Sequence, residues 1–170
     1  MGTDKALITT DGITLVERAA DALTRAGADP VIVVGGNRAA IEALGLRYVD
    51  DQWPGEGPLG GIITALRSLP TELAAVLSCD LTDASDIAVT SVVGALGTAD
   101  VAVPVVEGRT QWLHGVWRQR SLAALETAFT QGRRAPRDAV ETLDVAQLLD
   151  GDPCWFHDAD RPEDLPQPGR

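Results

Sequence analysis

Pro30-Val31-Ile32-Val33-Val34-Gly35-Gly36-Asn37 is the stretch that decides the fold. Four consecutive branched apolar residues lie between a proline and a glycine pair. They read as a short strand buried on both faces, because a half-exposed strand would alternate apolar and polar residues. Upstream, residues 14–26 place Leu15, Val16, Ala19, Ala22, Leu23 and Ala26 at helical spacing. Thr14 and Glu17 form a capping box at its start, and Gly27 supplies the stop. Downstream, Asn37 caps a second helix over residues 38–44 that ends at Gly45.

The same alternation continues along the chain. Residues 47–49 read as a strand, 50–59 as a Pro- and Gly-rich loop, and 60–69 as a helix. Residues 74–77 form a strand, 85–96 a helix and 101–105 a third apolar strand. The alternating residues 112–117 predict an antiparallel strand, 121–129 and 136–143 helices, and 154–156 a last strand. Strands alternating with helices indicate an α/β fold, a three-layer αβα sandwich around a mostly parallel sheet. A single domain over residues 1–165 and a polar tail over 166–170 are expected.

Composition narrows the function classes. The 170 residues carry 14 Lys plus Arg against 25 Asp plus Glu, a net charge of −11. That balance argues against nucleic acid and against an anionic membrane surface, both of which need clustered cations. No apolar run approaches the roughly 20 residues that cross a bilayer. The start of the sequence has no signal-peptide pattern, and Cys79 and Cys154 make no disulfide framework, so a cytoplasmic setting with free thiols is expected.

In α/β sheets ligands bind beyond the carboxyl ends of the strands. The polar residues there are Gly35, Gly36 and Asn37; Asp50 and Asp51; Cys79 and Asp80; and Asp158 and Asp160. Acids gathered over strand ends suit Mg²⁺, which takes one or two carboxylates and accepts substrate phosphates as further ligands. Asp80 can equally cap the turn that follows it. Residues 55–61, Gly-Glu-Gly-Pro-Leu-Gly-Gly, lead into a helix, where free amides attract phosphate or polar base edges. The loop is no Walker A motif, since no Gly-Lys-Ser/Thr follows it. Cys154-x-x-His157, taken with Cys79 and His114, lacks the second paired motif of a zinc site. Lys5 is the one lysine beside thirteen arginines, and a compact ammonium fits beside a crowded phosphate where a guanidinium does not.

Five segments in order resemble the molybdenum cofactor guanylyltransferases, within the nucleotidyltransferases of glycosyltransferase-A-like fold. They are residues 1–7, residues 14–18, Asp51-x-x-Pro54-Gly55-x-Gly57-Pro58-Leu59-Gly60-Gly61, Cys79-Asp80-Leu81 and residues 161–165. The resemblance implies that Lys5 and Asp80 are catalytic and that Lys5, Asn37, Asp51, Gly57 and Asp80 line the nucleotide site. It implies Mg²⁺ on Asp80 with Asp160, and an acceptor site at Gln111, His114, Asp158 and Asp160. For the segment of Arg109, Gln111 and His114, packing at the domain edge is an equal alternative.

The implied reaction transfers GMP from GTP to the phosphate of molybdopterin, releasing pyrophosphate. The alternatives are a related transferase using CTP or another phosphorylated acceptor, or a non-catalytic nucleotide- or pterin-binding protein. Molybdoenzymes or cofactor-biosynthesis proteins are the implied protein partners.

Three departures from the family pattern stand out. The family opens with a strand and a Leu-Ala-Gly-Gly-x-Ser-x-Arg loop, and this sequence begins where that loop ends. The first strand and Gly-rich loop are therefore expected to be lacking, with a start upstream of Met1 as the explanation. Asp158 and Asp160 stand where asparagines are usual. Thr82 replaces a proline, and Trp112 stands in a Gln-Pro-Leu-like segment.

Overall fold

A computed structural model describes residues 4–149, Asp152 and Trp155. A 3-10 turn at Lys5–Leu7 is followed by a small hairpin, β1 (Thr9–Thr10) and β2 (Ile13–Thr14). Helix α1 (Leu15–Arg25) starts on the predicted capping box: the Thr14 hydroxyl accepts from the Glu17 N–H, and the Glu17 carboxylate accepts from the Thr14 N–H at 2.9 Å. These bonds hold the Glu17 carboxyl below its ordinary pKa. Next come β3 (Val33–Val34), α2 (Arg38–Ala43) and β4 (Tyr48–Val49), with β3 and β4 paired in parallel.

Helix α3 (Pro58–Ser68) leads to β5 (Leu73–Ala75), α4 (Asp86–Ala95) and the longest strand, β6 (Val101–Val106). Strand β7 (Arg109–Thr110) turns back on β6. A 3-10 turn at Trp112–His114, β8 (Val116–Arg118), α5 (Leu122–Thr130) and β9 (Val145–Leu148) complete the order.

The central sheet is mixed. Strand β8 lies between β5 and β6 and is antiparallel to both, while β9 lies beside β6 in parallel. Strands β5, β6 and β9 therefore share one direction, and β8 is the reversed strand between them. Alternation along β6 builds the layers. Val101 and Val103 face α3 and α5, in a core with Leu59, Ile62, Leu66 and Trp117. Ala102 faces α4, with Val116, Val92 and Leu96. Each such large side chain, fully withdrawn from water, contributes on the order of 1.5–3 kcal/mol.

Three expectations need correction. Residues 112–117 are not one strand, because the 3-10 turn at Trp112–His114 occupies their first half. Residues 136–143 do not form a helix, since only Pro136–Asp138 makes a 3-10 turn. Ala139, Val140 and Leu143 have helical spacing because they cover the core from an irregular segment. Strand β9 was not expected: Val-Ala-Gln-Leu shows no alternation, and its partner β6 is more than 40 residues away. The expected strand at 154–156, the domain limit at 165 and the tail at 166–170 lie outside the described residues, apart from Trp155.

Candidate active site

The carboxyl ends of β3, β4 and β5 converge on the segment around Lys5. Asp4 caps the Lys5–Leu7 turn by accepting from the Ala6 N–H at 3.2 Å. Its carboxylate stands beside Gly36, since a Cβ built on that glycine would lie 3.5 Å from Asp4 Oδ2. Ala6 and Leu7 pack with Cys79 against the small core of Val16, Val33 and Ile41. A Cβ on Gly35 would lie 3.4 Å from the Asp51 Cβ. The structure thus brings the segments that carry Lys5, Asn37, Asp51 and Asp80 to one end of the fold.

Each of these residues also has a local task. Asn37 Oδ1 accepts from the Ala40 N–H at 3.2 Å, so the cap of α2 engages its oxygen. Asp51 Oδ1 accepts from the Trp53 N–H at 3.0 Å and from the Thr64 hydroxyl at 3.4 Å. One oxygen of Asp51 therefore ties the loop after β4 to α3. That use was not read from the sequence, although an acid two residues before a loop amide is the usual mark of an Asx turn. Asp80 accepts a short hydrogen bond from the Ser78 hydroxyl. This bond holds the carboxylate at the end of the β5 segment.

Gly57 holds φ +92° as the N-cap of α3, and a Cβ there would meet the Arg134 carbonyl at 3.1 Å. Both the backbone angle and the close approach require glycine. Arg134 in turn bonds Glu56 at 2.7 Å and lies 4.1 Å over the Phe129 ring. Arg134 was not singled out in the sequence, and only its charge in a mostly acidic chain marks it.

Charge at the site is negative. Burial pushes the Cys79 thiol up to about 11, and Asp80 and Asp4 push it in the same direction. His114 is 3% exposed, and burial lowers its pKa to about 4 against the opposing pull of Asp80. At neutral pH its ring is therefore uncharged, next to the β5 segment. Gln111 is half-buried and accepts from the His114 N–H at 3.1 Å through its carbonyl. The Gln111–His114 turn thus adjoins Asp80, but through a buried ring rather than an open surface. Asp158 and Asp160 lie outside the described residues. Among the described residues no three His, Cys, Asp or Glu side chains gather as a metal cage. One hard carboxylate oxygen set at a strand end does fit a Mg²⁺ that takes its other ligands from substrate phosphates and water.

An α/β fold whose candidate polar residues lie past the carboxyl ends of its strands defines the class. The sequence matches the MobA-like NTP transferase domain over residues 1–147, and the chain belongs to that family. It is thus a nucleotidyltransferase, a transferase enzyme. It is 29% identical over 178 residues to a probable molybdenum cofactor guanylyltransferase of Methanothermobacter thermautotrophicus, covering 97% of this chain and 90% of the relative. A protein of the same description from Chloroflexus aggregans is 33% identical over 152 residues, covering 84% of this chain and 71% of the relative.

Among solved structures, molybdopterin-guanine dinucleotide biosynthesis protein A of Archaeoglobus fulgidus superposes with a TM-score of 0.75 at 21% identity, over 96% of this chain and 88% of that one. The 2-C-methyl-D-erythritol 4-phosphate cytidylyltransferase of Thermus thermophilus gives 0.74 at 20% identity, over 95% and 90%. At these identities the superpositions speak for the fold. No described helix is long and apolar enough to cross a membrane.

Proposed function

We propose that the chain transfers GMP from GTP to the terminal phosphate of molybdopterin, forming a guanine dinucleotide cofactor and pyrophosphate. The observation that carries this reading is the gathering of Lys5, Asn37, Asp51 and Asp80 at the carboxyl ends of β3, β4 and β5. The names of the two relatives supply the choice of acceptor and base. In the proposed reaction a phosphate oxygen of the acceptor attacks the α-phosphorus of GTP. The bond to the β-phosphate oxygen breaks and pyrophosphate leaves. Such a displacement asks for in-line placement and charge neutralisation more than for covalent participation.

Lys5 sits at the mouth of the site and neutralises charge on the phosphates. Asp80, fixed by Ser78, would hold Mg²⁺. Bound there, the ion supplies Lewis-acid neutralisation of the triphosphate. Asp51 offers its carboxylate to N–H donors on the guanine edge while its Oδ1 keeps the loop in place. Asn37 lines the same opening, and Gly57 lets the start of α3 come close. With a net charge of −11 on the whole chain, local cations are needed to admit two polyanionic substrates.

Calorimetric titration with Mg²⁺ plus GTP, CTP or ATP, with Asp80→Ala as control, tests the reading. Metal-dependent binding of GTP alone, lost in the variant, supports it. Preference for CTP keeps the reaction type and changes the product. Failure of a folded chain to bind any nucleotide overturns it.

A further inference from the structure

The loop between β4 and α3 is held from outside by one residue, Arg134. Its guanidinium Nε donates to Glu56 Oε2 at 2.7 Å, and Nη1 donates to the Phe129 and Arg133 carbonyls at 2.9 and 3.0 Å. Its Cζ lies 4.1 Å from the centroid of the Phe129 ring. Phe129 belongs to the last turn of α5, where carbonyls lack helical partners and a cation is favoured. The main chain of Arg134 adds to the hold, since its carbonyl accepts from the Leu59 N–H at 3.1 Å.

The contacts continue as a stack. The Phe129 and Trp53 ring centroids are 4.8 Å apart, and Arg67 Cζ lies 5.0 Å from the Trp53 ring. Arg67 also donates to Gln52 and, at 2.7 Å, to Glu126 of α5. Gly60 makes the close packing possible, because a Cβ there would lie 3.4 Å from the Trp53 Cβ and 3.6 Å from Phe129 Cε2. Gln52, Trp53 and Glu56, all in one loop, are thereby clamped to α3 and α5.

The clamped segment runs from Asp51 to Gly57. Gly55 and Gly57 hold left-handed backbone in it, at φ +80° and +92°. A glycine-rich loop loses much conformational freedom when it is ordered. A ligand that needs the loop ordered bears that cost on binding, unless the protein has ordered it beforehand.

On the nucleotidyl-transfer reading above, in which Asp51 and Gly57 line the nucleotide site, we infer that Arg134 is a positioning residue for that site. Through Glu56 and Phe129 it holds the Asp51–Gly57 loop in the shape that receives the base. An exposed ion pair such as Arg134–Glu56 contributes little to global stability, so its effect falls on the loop and not on the fold. The planar fork is required as well as the charge. An ammonium cannot bond the carboxylate and the helix-end carbonyls while covering a ring.

The test titrates the full chain with Mg²⁺ plus GTP, and with Mg²⁺ plus pyrophosphate, which has phosphates without a base. Arg134→Ala is expected to weaken GTP about tenfold while leaving pyrophosphate within about twofold. The KM for GTP should rise by the same factor with kcat unchanged, and Tm should hardly move. Arg134→Lys should resemble Arg134→Ala. Glu56→Ala should also weaken GTP, and the double variant should be no weaker than Arg134→Ala, because the two residues act through one contact.

Parent affinity in Arg134→Ala or in Arg134→Lys overturns the inference. Equal losses for GTP and pyrophosphate do so too, since they mark general damage. Tighter GTP binding by Glu56→Ala also overturns it, by showing Arg134 to be a direct ligand contact set free. If Arg134→Ala does not fold, Arg134→Lys and Glu56→Ala carry the comparison, and if the parent prefers CTP the titrations use CTP. A parent that binds no nucleotide overturns the reading of the site itself. A parent that binds while every variant matches it overturns the role of Arg134 alone.

Discussion

The half of the molecule around β6 and the half around β3 are held together differently. In the first, β6 has neighbours on both sides, and its N-terminal end is tied by charge. Asp100 accepts from the Arg120 guanidinium at 2.5 Å and from the Asp144 N–H at 2.9 Å. Arg118 donates to the Ala99 and Gly97 carbonyls at 2.9 and 2.7 Å and pairs with Glu72 at 3.0 Å. These bonds join the ends of β5, β6, β8 and β9 into one frame. In the second half, two-stranded β3–β4 rests on a core of three buried residues, Val16, Val33 and Ile41. The candidate residues straddle the two: Asn37 and Asp51 follow β3 and β4 of the loosely tied half, and Asp80 follows β5 of the frame.

Five substitutions break or sharpen that contrast. The largest effect is expected from Trp117→Ala, which empties a fully buried site between β5, β6 and α3. It should cost about 3–5 kcal/mol in urea denaturation, and Ile41→Ala on the smaller core about 2–3 kcal/mol. Equal losses would remove the distinction between the halves.

Asp80→Asn comes next and acts on activity alone. Pyrophosphate release should fall by about a hundredfold or more, a transition-state loss of roughly 3 kcal/mol, with the denaturation midpoint nearly unchanged. Activity near the parent value would remove Asp80 from the reaction.

Asp100→Asn is expected to cost about 1–2 kcal/mol at pH 7. The Asp144 N–H first, and then Arg120, hold the Asp100 carboxyl below its ordinary pKa of 3.8. A carboxyl lowered in the folded state stabilises above its unfolded pKa, and that stabilisation fades as pH falls through the folded value. The gap between parent and variant should therefore be full at neutral pH and narrow below about pH 4. A gap that persists unchanged at pH 3 would contradict this cause.

Thr14→Ala should have the smallest effect, about 1 kcal/mol, through loss of the capping box of α1. No loss in thermal unfolding would mean that packing of Leu15 and Val16 alone starts the helix.

Legibility in the sequence followed locality. The capping box of α1, the Asn37 cap of α2 and the stops at Gly27 and Gly45 depend on residues a few positions apart, and they stand as read. Strand β9 depends on a partner across the fold, and its four residues carry no pattern of their own. The apolar spacing of residues 136–143 records core contact and not helical winding, because Pro136 and the bond from Asp144 to Asp100 set that path. For the site, position after a strand was the signal that singled out Asn37, Asp51 and Asp80 as candidates. The burial of His114 was not legible, since it follows from the Trp112–His114 turn. Nor was Arg134, whose contact with Gly57 joins two segments more than 70 residues apart.

Cys79 gives this protein a built-in gauge. Alkylating reagents attack the thiolate, and a thiol held at about 11 presents almost none at neutral pH. Its slow labelling therefore reports the surroundings of a partly buried thiol just past β5. Peptide mapping separates that signal from Cys154, the other cysteine in the sequence. A ligand that covers this end of the fold slows the labelling further, and one that binds elsewhere leaves it at the same speed.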